Sequence, residues 1–202
     1  MMSQSTSTGW DVLDSAFSAL RSVVLGVGSQ DWGRPTPCDQ WNVTQLLQHA
    51  SGDQRAWASG ITGGPPPAEN PFAPSGRLSD PALAVLDRAL QVAVAAWATV
   101  RPGDAAVPTP FPPFPTLPAS VAAGACALDA GVHAWDIAVA TGQRSPLTAA
   151  LAKPLHAAAL EVVEPLRAFA YAPVLDPEPG DDDTATLLRY LGRRPDWTRA
   201  TD

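Results

Sequence analysis

One run of residues limits what this chain can become. From about Pro118 to Thr141 the sequence is dominated by alanine and other apolar residues, is interrupted by Asp129, His133, Trp135 and Asp136, and is closed by Gly142. It reads as a helix. A spacing of four sets Asp129 and His133 on one face, one turn apart. A carboxylate and an imidazole so placed are half of a catalytic metal site. The chain has only three histidines, so each can be followed individually.

The rest of the chain reads as further helices punctuated by proline. Leu13, Phe17, Leu20 and Val24 form one stripe of a 3.6-residue period over residues 9–26, stopped by Gly26 and Gly28. Pro35 and Pro37 force an irregular connection. A second helix starts at Asn42, an N-cap with Gln45 three residues on as in a capping box. Its stripe is Val43, Leu46, Leu47, Ala50 and Trp57, and His49 falls beside it, flanked at helical spacing by Gln45 and Asp53. The Gly/Pro-rich stretch from Gly60 to about Gly76 is a loop, either a lid over a site or a mobile spacer.

Asp80-Pro81 marks the start of a third helix, as N-cap and first helical position, with Leu83, Leu86, Leu90, Val94 and Trp97 on its buried face. A second Pro-rich segment follows. Its Phe111, Phe114 and Leu117 are expected to pack on the bundle; a PxxP ligand is the alternative. Ser145-Pro146 opens a fifth helix to about Tyr171, which Pro165 should kink. Asp183 or Thr184 caps a short last helix. No strand-like alternation persists. The expected fold is all-α: a four-helix bundle with an extra C-terminal helical segment and Pro-rich loops, in a single domain over 1–202 whose N-terminus, about 1–8, is loose.

Composition excludes several classes. The net charge is −7 and the sequence has no basic cluster, so no nucleic-acid partner is expected. No run reaches the ~18 apolar residues of a membrane span. Residues 1–9 lack the pattern of a signal peptide, so the expected location is cytoplasmic, with no membrane partner. Two cysteines are too few for a disulfide framework. The sequence has neither a G-x-S-x-G elbow nor a phosphate-binding glycine loop.

His49 on the second helix supplies a third ligand to Asp129 and His133. Two histidines and a carboxylate form a catalytic zinc site with an open position, and equally suit Fe, Ni or Co. Asp136, one turn beyond His133, can accept the N–H of a ligating histidine. On spacing alone, His133 is as well read as a satisfied core or surface histidine and Asp129 as a solvated or ion-paired acid. His156 lacks a carboxylate one turn away. Cys126 shares the face of Asp129 and His133 as a soft ligand, a reactive thiol or a small core residue, the last being the common fate of a free cysteine. Cys38 sits near a helix start, where a thiol can be activated, or else is packed and inert.

Three blocks of sequence carry a resemblance. They are Thr36-Pro37-Cys38 with Trp41, Val43, Leu46 and His49; Asp129 with His133, Trp135-Asp136, Ala138 and Ala140-Thr141-Gly142; and Leu187-Leu188 with Leu191-Gly192-Arg193, Pro195 and Trp197. In this order they resemble the DinB/YfiT-like superfamily, and more closely its actinobacterial metal-binding group related to mycothiol-dependent maleylpyruvate isomerase. The resemblance implies a bundle that binds a divalent metal, often zinc, through His49, Asp129 and His133. It also implies mycothiol as co-substrate, a small-molecule substrate and, as in many members, a homodimer. The isomerase branch carries Glu where this chain has Asp129, one methylene shorter. The function expected is metal-dependent thiol S-transfer or isomerisation. The alternatives are a non-catalytic metal-binding bundle (sensor, stress or partner-binding) and a metal-dependent hydrolase.

Overall fold

The structure, a computed structural model, describes residues 7–198. The described residues form six helices: α1 (Asp11–Leu25), α2 (Val43–Thr62), α3 (Ala82–Trp97), α4 (Ala119–Ala140), α5 (Ala149–Ala170) and α6 (Asp183–Tyr190). A two-residue antiparallel pair, β1 (Val107–Pro108) and β2 (Thr116–Leu117), pins the ends of the second Pro-rich segment together. Of the loose N-terminus expected over about 1–8, residues 1–6 lie outside the described residues. Thr8 is buried, and its backbone N–H and hydroxyl both donate to Asp14 Oδ1.

α4 packs on α1 and α2, and α3 closes the ring by packing on α2 and α1. These four are the expected bundle. α5 lies outside it along α4 and α1, and α6 docks on α5. The central place of α4 follows from its composition. A helix that is apolar nearly all round must be covered nearly all round, and 18 of its 22 residues are buried. Small side chains also set how closely its neighbours approach. A Cβ on Gly131 would stand 2.7 Å from Leu155 Cδ1, and one on Gly124 would stand 2.7 Å from Ala158 Cβ. Leu13, Leu20, Leu46, Leu47 and Leu86 fill the interior with no exposed surface, each stabilising the fold by about 1.5–3 kcal/mol.

The capping box of α2 is present: Gln45 N–H donates to Asn42 Oδ1 and Asn42 N–H to Gln45 Oε1. Other helix openings shift. α3 is capped by the backbone of Pro81, because Asp80 turns outward to pair with Arg88 at 2.6 Å. α5 starts after Thr148 rather than at Pro146, the Ser145 hydroxyl being taken by Leu147 N–H. Asp182, one residue earlier than expected, caps α6 through Ala185 N–H. Pro165 lies within α5, which continues to Ala170. Leu117 is buried and Phe111 half-buried, its ring edge-on to Trp57 at 5.4 Å. Among the described residues no helix is long and apolar enough to cross a membrane.

Candidate metal centre

The bundle brings His49 of α2 beside Asp129 and His133 of α4. His133 Nε2 is 3.2 Å and His49 Nε2 3.6 Å from the same oxygen, Asp129 Oδ1, and the three donor atoms lie within 4.8 Å of one another. Ligands ~2.0–2.1 Å from a tetrahedral ion stand about 3.3 Å apart, so the observed spacing fits a divalent ion.

Each donor is oriented by a separate partner. His49 Nδ1 is 3.0 Å from the carbonyl of Pro71. A carbonyl only accepts, so the hydrogen is on Nδ1 and the lone pair on Nε2. His133 Nδ1 is 3.0 Å from Asp136 Oδ2, which likewise leaves Nε2 facing the site. Asp129 Oδ2 accepts from Gln54 Nε2 at 3.1 Å, and Gln54 Oε1 accepts from Cys126 Sγ at 3.1 Å. Cys126 is fully buried and acts as a core residue that positions Gln54. Burial, then the charge of Asp129, pushes its thiol well above the usual range.

The three donor side chains are coupled electrostatically. Burial works against a charged imidazole, yet Asp129 and the hydrogen bonds to Asp129 and Asp136 hold the His133 pKa well above the ordinary value. Burial would raise Asp129, and the two histidines instead pull it well below the carboxylate range. Asp53, one turn after His49 with Oδ2 3.9 Å from His49 Nε2, is pushed up to about 7 by burial and by Asp129.

Asp136, fully buried, has the expected place behind His133. The C-terminal segment adds Arg193, whose Nε and Nη2 donate to Asp136 Oδ1 and Oδ2 at 2.9 and 2.8 Å. Burial opposes the Asp136 charge, but Arg193 and His133 hold its pKa well below the usual range. Cys38 joins here: Arg193 Nη2 donates to its sulfur at 3.3 Å, and the thiol donates to Asp136 Oδ2 at 3.4 Å. Cys38, His133 and Asp136 also lie close enough to share an ion, but the Arg193 charge makes that position hostile to a cation. His156 is away from the site, its ring 5.5 Å from Tyr190.

The three donor residues line a cavity of about 490 Å³. Trp41 lies 4.4 Å and Phe72 5.4 Å, centroid to centroid, from the His49 ring, and Phe111 and Tyr171 complete an aromatic wall. Phe72 belongs to the Gly/Pro-rich loop after α2. That loop is docked closely: Gly76 N–H donates to Gln48 Oε1 at 2.7 Å, and a Cβ on Gly52 would stand 2.9 Å from Pro71 Cγ. Arg34, Arg55 and Arg77 are absent from the lining, whereas Arg167 and Arg193 are present. No sequence signal marks the Pro71 carbonyl. Arg193 stands in the third block that carries the resemblance, but nothing in that block names its partner.

The chain belongs to the family described as the mycothiol maleylpyruvate isomerase N-terminal domain, which matches residues 13–138. The match spans His49, Asp129, His133 and Asp136, and stops before α5 and Arg193. The uncharacterized protein Rv0738 of Mycobacterium tuberculosis (strain ATCC 25618 / H37Rv) is 30% identical over 184 residues, covering 88% of this chain and 93% of the relative. The uncharacterized protein MT0763 of Mycobacterium tuberculosis (strain CDC 1551 / Oshkosh) matches to the same extent. No solved structure matches. The family is mycothiol-related and metal-binding, and this chain carries a donor set that fits an ion.

Proposed function

We propose that this protein is a divalent-metal-dependent enzyme that joins a low-molecular-weight thiol of the mycothiol type to an electrophilic substrate, by S-transfer or by reversible addition that isomerises a double bond. The observation that carries this reading is the convergence of His49 Nε2, His133 Nε2 and Asp129 Oδ1 at the wall of a cavity. A site closed on all sides would suit a structural ion; a site opening into a cavity suits one that meets substrate. Zinc is the ion the donor set suits best, with Fe, Ni or Co as chemically reasonable substitutes.

The chain's residues divide the work. His49 and His133 donate their Nδ1–H hydrogen bonds to the Pro71 carbonyl and to Asp136 and so keep their Nε2 lone pairs directed into the site. Asp129, held by Gln54, supplies the negative charge. A divalent ion bound there stabilises thiolate over thiol and makes the thiol nucleophilic at neutral pH. Trp41, Phe72 and Phe111 offer an apolar aromatic wall to the electrophile. Cys126 is not the nucleophile, since burial keeps it a neutral thiol turned toward Gln54.

The test is thiol consumption by zinc-loaded protein given mycothiol and an electrophile. Turnover that disappears in His133→Ala supports the reading. Stoichiometric zinc with no thiol loss for any electrophile would leave the non-catalytic bundle, and ester cleavage without thiol would point to hydrolysis.

A further inference from the structure

The cavity walls say which class of electrophile fits. Among the described residues, both lining guanidinium groups are already paired with a carboxylate. Arg193 is bidentate on Asp136. Arg167 gives Nε and Nη2 to Glu164 Oε1 at 3.0 and 2.6 Å, and Nη1 and Nη2 to the carbonyls of Ala172 and Tyr190 at 2.6 and 3.2 Å. Among the described residues the other charge-bearing acids of the lining are Asp39, Asp53 and Asp129. Beyond the ion itself, no lining cation among the described residues is without a carboxylate partner to receive a second substrate carboxylate, and an unpaired carboxylate in such a cavity loses hydration without compensation.

The apolar side points the same way. Phe72 and Phe169 line the cavity while 52% and 59% exposed, so they stand at its opening. They come from unrelated segments, the loop after α2 and the end of α5. Exposed rings at the mouth of a cavity, continuous with Trp41 and Phe111 inside, match a flat apolar guest.

We propose that the cavity takes a neutral, flat, unsaturated electrophile such as an aromatic, and discriminates against dicarboxylates, the class to which the family's name-giving maleylpyruvate belongs. This rests on reading the site as one for a small electrophile. The experiment is equilibrium dialysis of zinc-loaded protein, without thiol, against meta-dinitrobenzene and its charged isostere isophthalate. One isophthalate carboxylate can reach the ion; the second has no cation to meet. The neutral ring is expected to bind at least about tenfold more tightly. The Phe169→Ser variant, altered at an exposed position at the end of α5 and outside the donor set, should bind it about fivefold more weakly at unchanged zinc content. Isophthalate binding as tightly as the neutral ring, or a variant that holds the ring like wild type, overturns the proposal. Adding mycothiol afterwards separates the two readings. Ring binding without thiol loss on a reactive analogue sinks the transferase alone; thiol turnover confined to dicarboxylates sinks the neutral-ligand proposal alone.

Discussion

His49 and His133 offer the same atom to the same carboxylate, yet they are held in different ways. His49 leans on a neutral backbone carbonyl, Pro71, carried by a loop. His133 leans on a buried carboxylate, Asp136, which a buried guanidinium from the far end of the chain holds in place. A carbonyl fixes the tautomer and little else. A carboxylate also raises the basicity of the imidazole and strengthens it as a donor. The His133 arm is therefore the charged, pH-sensitive half of the site, and the His49 arm depends on how a loop is packed.

Removing a donor should have the largest effect. Asp129→Ala and His133→Ala are expected to lose zinc beyond the ~10–100-fold that loss of an outer partner costs. Metal analysis after dialysis should find stoichiometric zinc in wild type and traces in these variants. Equal zinc in all three would remove the site.

Next comes the charged arm. Arg193→Ala leaves Asp136 buried without its cation, so zinc affinity should fall about 10–100-fold and the metal-free fold should lose about 3–5 kcal/mol. Competition with a chromophoric chelator and urea unfolding read the two effects. Arg193→Lys should restore only part of either, because the bidentate fork is lost. Unchanged zinc affinity in Arg193→Ala would show that the C-terminal segment is not coupled to the metal.

Proton competition is the next largest effect. The His133 pKa is raised in the metal-free protein, so zinc must displace a proton. Zinc affinity should rise as pH goes from about 6 to about 8, with close to one proton released per ion. Stability of the metal-free protein runs the other way. A raised folded-state pKa gives stability that is full below the unfolded value and is lost as pH rises through the folded one. Titration calorimetry in buffers of different ionisation heat counts the proton. Asp136→Asn should reduce this pH dependence.

The smallest effect belongs to the loop arm. Gly52→Ala would press on Pro71 and tilt the carbonyl under His49. Zinc affinity should weaken by less than about 10-fold, with little change in its pH dependence. A larger loss than Arg193→Ala would reverse the comparison.

Much of this was legible in the sequence. Asp129 and His133 could be paired because helical periodicity is local and obligatory. The apolar character of the 119–140 run forces α4 to be covered by other helices. The Asn42–Gln45 capping box formed as read. Helix openings at Asp80 and Ser145 were displaced because tertiary partners and local turns took the capping groups. Asp53 was visible as a neighbour of His49 at helical spacing, but its burial against Asp129 was not.

The sequence by itself determined the class of fold and the helices that carry His49, Asp129 and His133, since each follows from spacing along one helix or from motifs in order. Only the tertiary structure decided what stands behind them. The Pro71 carbonyl is 22 residues from His49, and Arg193 is 57 from Asp136 and 155 from Cys38. The pairing of the cavity's arginines was decided there too. Whether Arg167 and Arg193 are free to meet an anion depends on Glu164 and Asp136 reaching them first, and pairing of that kind is written in three-dimensional distance, which no local period encodes.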